Sequence, residues 1–217
     1  MSGQGFGPGD LDEFGCPVWI AELGWQEHAD PNHLVHVVRH LDPADALVLL
    51  GADRQAIKPC VLPTERPDSS TIPRAAIGPA DPTAVLIAGR TGDWTFVYDD
   101  LGYTLFSFHL PERPPPLAAQ TLSTEGGIAA TSNTTINGQT GFAYAVDGTI
   151  EVVLDSFELA EPDGDLPAEV RAAIDAAGRF DADEDIHINM RVLCALAGLP
   201  RTLDDLRATP LLIAPLN

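Results

Sequence analysis

Three histidines fall within eight residues, in the stretch His33-Leu34-Val35-His36-Val37-Val38-Arg39-His40. On a helix they would share one face, as i, i+3 and i+7, and three imidazoles so placed could hold Zn²⁺ or Ni²⁺. On a strand His36 and His40 share one side while His33 points to the other. Two same-side residues four apart on a strand are separated by about 13 Å, too far to share one ion. Pro31 and the run of valines favour the strand, so no metal site is expected. His28 or Asp30 would be needed to complete even a two-ligand site. Asp181 to His187, "DADEDIH", matches a calcium loop only at its first three ligand positions. Ile186 stands where glycine is needed and Val192 where a bidentate glutamate is needed. Acids at the start of a helix, complementing its dipole, explain the run better. Cys194 in "RVLCALAGL" lies on an apolar helix face and reads as a buried thiol. His109 with Asp155 and Asp99 or Asp100 would make an acid–base pair if the fold brought them together. "RTGDW" and "NGQTG" are turns without phosphate-loop spacing, and there is no G-x-S-x-G elbow.

The elements that must position these residues can be read in order. Residues 1–15 form a Gly-rich tail expected to stay unpacked, and residues 16–217 are expected to form a single domain. "CPVWIAELGW" is the first segment able to pack. Residues 33–51 read as a strand followed by a short helix, with Asp42 as N-cap, Pro43 at the first helical position and Gly51 just past the end. Repeated prolines mark 59–82 as loop. Val85–Arg90 and Trp94–Tyr98 read as a hairpin across "TGD". A Pro-rich approach leads to a short helix near 116–123. Asp147-Gly148 joins two alternating runs and predicts a tight hairpin turn, because such turns need positive φ at their centre. Pro167–Ala177 and Glu184–Leu199 read as helices, capped by Asp165 and Asp183 and ended by Gly178 and Gly198. "TPLLIAPLN" is a short strand or docked tail. Two hairpins with helices around them predict an α+β fold: one largely antiparallel sheet with helices packed on it.

Three of these segments together resemble an uncharacterised family of actinobacterial proteins. They are "HVVRHLDPADALVLLGAD", "GRTGDWTFVYDDLGY" and "TSNTTINGQTGFAYAVDGTIEVVLDSF", the last carrying an F-x-Y-A-x-D-G hairpin. The resemblance covers roughly 33–160 and implies a fold and a source, without an activity to carry over. The tryptophan often found ahead of the F-x-Y strand is missing here.

The formal net charge of -20 opposes binding to nucleic acid or an anionic membrane and permits steering toward a basic partner. Three widely spaced cysteines without a C-x-x-C pair, and an N-terminus lacking the pattern of a signal peptide, fit a cytoplasmic protein. No cofactor is expected. The favoured reading is a binding protein without catalysis, of the immunity or accessory type, that caps a basic protein partner. Glu158, Glu161, Asp163 and Asp165 are the candidate docking acids, and Trp94 and Tyr98 the candidate aromatic anchors, although aromatic residues at period 2 are more often core. Two alternatives stay open. One is a hydrolase-like or metal-dependent enzyme using His36, His40 or His109 with an acid; the other is a structural subunit of an assembly. A chain this long can bury a sizeable core without metal. Its melting temperature is therefore expected to be unchanged by EDTA, and a drop of many degrees would contradict the reading.

Overall fold

In the computed structural model, which describes residues 5–24, 32–65, 70–180 and 185–217, the histidine stretch is a strand, β1 (His33–Arg39). It lies inside an open eight-stranded sheet in which every pairing is antiparallel. The other strands are β2 (Lys58–Cys60), β3 (Ala84–Thr91), β4 (Trp94–Asp99), β5 (Ile128–Thr134), β6 (Thr140–Val146), β7 (Thr149–Leu154) and β8 (Leu211–Leu216). Their order is β2-β8-β3-β4-β1-β5-β6-β7. The helices are α1 (Val18–Leu23), α2 (Pro43–Leu49), α3 (Ile72–Ile77), α4 (Ala118–Leu122), α5 (Ser156–Ala160), α6 (Ala168–Ala177), α7 (Ile188–Ala197) and α8 (Leu203–Ala208). The α+β expectation holds.

Both faces of the sheet are covered, which is why its central strands are apolar on both sides. On one face Val35, Val37, Phe96, Tyr98 and Phe142 pack with Trp19, Ile20, Met190, Leu193 and Leu206. On the other, Val38, Leu86, Val97 and Ala129 pack with Leu47 of α2 and Leu122 of α4. Alternation along β1 sends its odd-numbered residues to the first face and its even-numbered ones to the second. Gly89 on β3 is required by this packing: a Cβ there would stand 2.6 Å from the Phe96 ring.

Several expectations are corrected. Residues 59–82 are not simply loop. β2 starts the segment, and α3 follows because Thr71 caps it, its hydroxyl accepting from the Arg74 amide, while a proline sits in the first turn where no amide donor is missed. Residues 5–15 are not free of the domain. Leu11 bridges to Pro17, and the Arg201 guanidinium lies 4.2 Å from the Phe6 ring centroid. The Gly15 carbonyl accepts from Arg191 at 2.8 Å. Asp165 is not a cap: α6 begins after Pro167. Asp183 lies outside the described residues, and α7 begins at Ile188, after His187. Helices α5 and α8 were unforeseen, yet each opens on a reciprocal capping box, Asp155 with Glu158 and Thr202 with Asp205. The last segment is a strand, β8, inserted between β2 and β3.

Asp42, Pro43 and Gly51 act as expected. Asp42 accepts from the Ala44 amide at 2.9 Å, and Gly51 has φ 100°. At the β6–β7 turn Asp147 and Gly148 have φ 49° and 73°. Gly148→Val is expected to destabilise the chain by about 1–3 kcal/mol in chemical denaturation, because a β-branched residue is strained at positive φ. An unchanged midpoint would contradict this.

Candidate functional site

His36 has no exposed surface. Its Nδ1 is 2.8 Å from the Thr131 hydroxyl and its Nε2 is 2.9 Å from the Thr104 hydroxyl. The Thr104 hydroxyl in turn donates to Asp99 Oδ2 at 2.7 Å. That fixes the direction of the chain. Thr104 has one proton and gives it to Asp99, so it accepts from His36 Nε2–H. Thr131 then donates to the bare Nδ1. Asp99 also accepts the backbone amides of Leu101, Gly102 and Thr104. Burial pushes the Asp99 carboxyl up from its usual value, against the pull of these hydrogen bonds. Burial also lowers the His36 imidazole to about 3. Threonine, histidine and aspartate in line imitate a nucleophile–base–acid arrangement. The members are buried, so substrate has no route to them, and the arrangement serves to seat the loop after β4 on the sheet.

The other polar candidates are dispersed. His33 points to the opposite face, with Nδ1 3.2 Å from the Tyr98 hydroxyl, and burial and the nearby His187 lower it to about 3. His187, Asn189 and Ser132 are buried on the same face; the sequence reading gave none of them a role. His40 ends β1 in an exposed bend. His109 is exposed and stands against Gly51, while Asp99 is committed to Thr104. Asp100 takes the Val85 amide at 2.7 Å and the Arg74 guanidinium at 2.8 Å. Asp155 caps α5. Asp99, Asp100 and Asp155, the acids that could have paired with His109, are thus each engaged with other groups. Asp185, from the calcium-like run, forms a bidentate pair with the buried Arg191. Burial pushes the Cys194 thiol up to about 12 and Cys60 to about 11, and raises Cys16. None of the three is activated as a nucleophile. Among the described residues no group of three or more metal-ligating side chains forms. His28 and Asp30 lie outside the described residues.

The expected docking residues divide. Trp94 and Tyr98 belong to the core. Trp94 lies under the Arg39 guanidinium, 4.5 Å from its ring centroid, and Tyr98 packs edge-on against Trp19. Burial withdraws both from any surface. Glu158, Glu161, Asp163 and Asp165 are all exposed. The sequence reading missed their apolar neighbours. Val153 on β7 is 58% exposed and Phe157 on α5 is 65% exposed. The capping-box pattern at Asp155–Glu158 was the available signal, because a helix starting at Ser156 sets Phe157 in its first turn. β7 ends the sheet order, and its pairing slips so that Glu151 is skipped between Ile150 and Val152. A bulge and a glutamate both discourage indiscriminate edge pairing. Glu169, at the end of the same acidic stretch, is instead structural. It pairs with Arg39 at 2.6 Å and accepts from the Tyr144 hydroxyl, pinning α6 to the sheet.

Comparison with protein-family models, curated proteins and solved structures gives no match. No helix among the described residues is long and apolar enough to cross a membrane.

The buried histidines generate a pH dependence. In an unfolded chain histidine takes up its proton near pH 6.5. With folded values of about 3 for His33 and His36, the unfolded state binds more protons between those limits. Stability is therefore full above pH 6.5 and is lost as pH falls, at up to about 1.4 kcal/mol per unit per histidine. Asp99 acts in the opposite sense, because its raised carboxyl favours the folded chain as it protonates. His36→Gln isolates one contribution. The loss of stability from pH 6.5 to 5 should be shallower in this variant, by an amount that rises towards about 1.4 kcal/mol per unit at pH 5, and parallel curves would contradict the assignment.

Proposed function

We propose that this chain is a cytoplasmic recognition protein that caps a basic protein partner without catalytic turnover. The observation that carries the reading is the association of exposed apolar and acidic residues in one segment. Val153 on the end strand and Phe157 on the helix after it are exposed, and the exposed acids Glu158, Glu161, Asp163 and Asp165 belong to the same stretch of chain. Apolar anchors give an interface its affinity, while charge around them sets encounter rate and excludes wrong partners. The net charge of -20 acts in the same direction at longer range. Arg179 approaches Glu161 at 3.6 Å, but both side chains are largely exposed, so the pair competes weakly with an incoming cation. An enzymatic reading would need His36, His40 or His109 beside an accessible acid, and burial of His36 argues against it.

A second reading, a subunit of a larger assembly, draws on a different patch. Tyr103, Phe106 and Phe108 are exposed on one loop, with the two phenylalanine rings 5.8 Å apart. Three exposed aromatic residues on a loop anchored by Thr104 would suit a permanent contact.

Capture from native lysate followed by mass spectrometry should recover a basic partner in stoichiometric amount. Its association rate should fall steeply between 0.1 M and 1 M salt, as the Debye length drops from about 10 Å to about 3 Å. Neutralising the four acids should reproduce the high-salt rate, and Phe157→Ser should speed dissociation. A neutral or acidic partner, bound with a rate indifferent to salt and to Phe157, would contradict the proposal.

A further inference from the structure

β7 closes the sheet order, so one of its edges has no neighbouring strand among the described residues. The turn before β7 decides which of its backbone groups face that edge. Asp147-Gly148 is flanked by the pair Val146–Thr149, and two-residue turns close on a hydrogen-bonded pair. Bonded and non-bonded pairs then alternate. Ile150, opposite Ala145, therefore turns its amide and carbonyl outward. Tyr144 opposes Val152 with Glu151 skipped, and Val153, opposite Ala143, turns outward again. The next ladder agrees. The Thr135 amide donates to the Gln139 carbonyl at 2.9 Å, and alternation from that bond commits the backbone of Ala143 to Thr131 of β5, away from Val153.

The side chains of β7 divide between the two faces of the sheet. Ile150 and Val153 share the face of Ala145 and Ala143, and Val153 is 58% exposed. Val152 shares the other face with Tyr144. A bulge sends its extra residue to the same side as the residue after it, so Glu151 joins Val152 and Tyr144. The electrostatics agree: burial, then Glu169 and Glu151, push the Tyr144 phenol up, against the pull of Arg39. Glu169 is taken by Arg39 and the Tyr144 hydroxyl, while Glu151 is exposed. The edge thus offers outward backbone groups, an apolar side and an acidic side. A second copy of the chain is a poor occupant. Each copy carries a net charge of -20, and pairing two such edges sets carboxylate against carboxylate.

We propose that β7 takes up an extended segment of the basic partner as an added strand, hydrogen-bonded to Ile150 and Val153, with apolar side chains on their face and lysine or arginine on the face of Glu151. Strand addition of this kind draws affinity from the main chain and specificity from alternate side chains. The inference rests on the recognition reading above and supplies its binding mode.

The test is titration of the full chain with the peptide acetyl-Lys-Val-Lys-Val-Lys-Val-Lys-amide. Two control peptides accompany it: one with glutamate in place of lysine, and one with the original side chains but every amide N-methylated. The Lys-Val peptide should bind saturably and slow hydrogen exchange at the Ile150 and Val153 amides. Methylation should weaken it by at least about tenfold, since several hydrogen bonds are lost, and the glutamate peptide should not bind. Val153→Pro should fold as the parent does, because proline is tolerated where an edge amide faces solvent, yet bind the Lys-Val peptide at least about tenfold more weakly. Glu151→Lys tests the same edge through charge alone and should also weaken binding. Equal binding of the methylated peptide, with the glutamate peptide still rejected, would overturn strand addition and leave charge-based recognition standing. Binding indifferent to both changes, or no binding of the Lys-Val peptide, would overturn the proposal as well, and indifference to charge would overturn the underlying reading with it.

Discussion

A carboxylate with no exposed surface, Asp99, governs the middle of this sheet. A buried carboxylate is tolerated only when its oxygens are occupied by donors. Here three backbone amides and the Thr104 hydroxyl do so. Once Thr104 has given its proton to Asp99 it must accept one, and His36 is the donor. The imidazole then has a bare nitrogen, which Thr131 of β5 satisfies. One charge thereby orders β4, β1, β5 and the loop that follows β4. The same logic recurs on the other face, where Arg191 is buried and answered by Asp185 and by carbonyls of Gly15, Ala177 and Gly178. Those contacts close the N-terminal segment and the C-terminus of α6 onto α7.

Groups satisfied in this way are unavailable for chemistry. The residues with the most catalytic appearance, His36, Asp99, Asp100 and Cys194, are the ones most fully committed to the interior. The acids Glu158, Glu161, Asp163 and Asp165 and a few apolar side chains, Phe157 among them, are left at the surface. This division moves the functional question from the centre of the sheet to its margin, the end strand β7 with α5.

Much of the fold was legible because it is written in local chemistry. Asp147-Gly148 demanded a hairpin turn, Asp42-Pro43 a helix start, and the valines of β1 a strand. The residues 59–82 misled because proline was read only as a breaker, although it is welcome in the first turn of a helix such as α3. The Gly-rich N-terminus misled because its anchor, Arg191, is far away in sequence. Trp94 and Tyr98 could not be assigned to core or surface from period alone, since the side of the sheet they face is decided by α1 and α6. Val153 and Phe157 were hidden for a related reason. Their exposure follows from β7 being the last strand, which is a property of the strand order and of no local pattern.

The claim that recognition takes place at β7 and α5 is tested most directly by a footprint. Amide hydrogen exchange would be measured on the chain alone and with its captured partner. Slowed exchange confined to residues 149–165 is the predicted result. Protection centred on Tyr103, Phe106 and Phe108, with 149–165 unchanged, would contradict it.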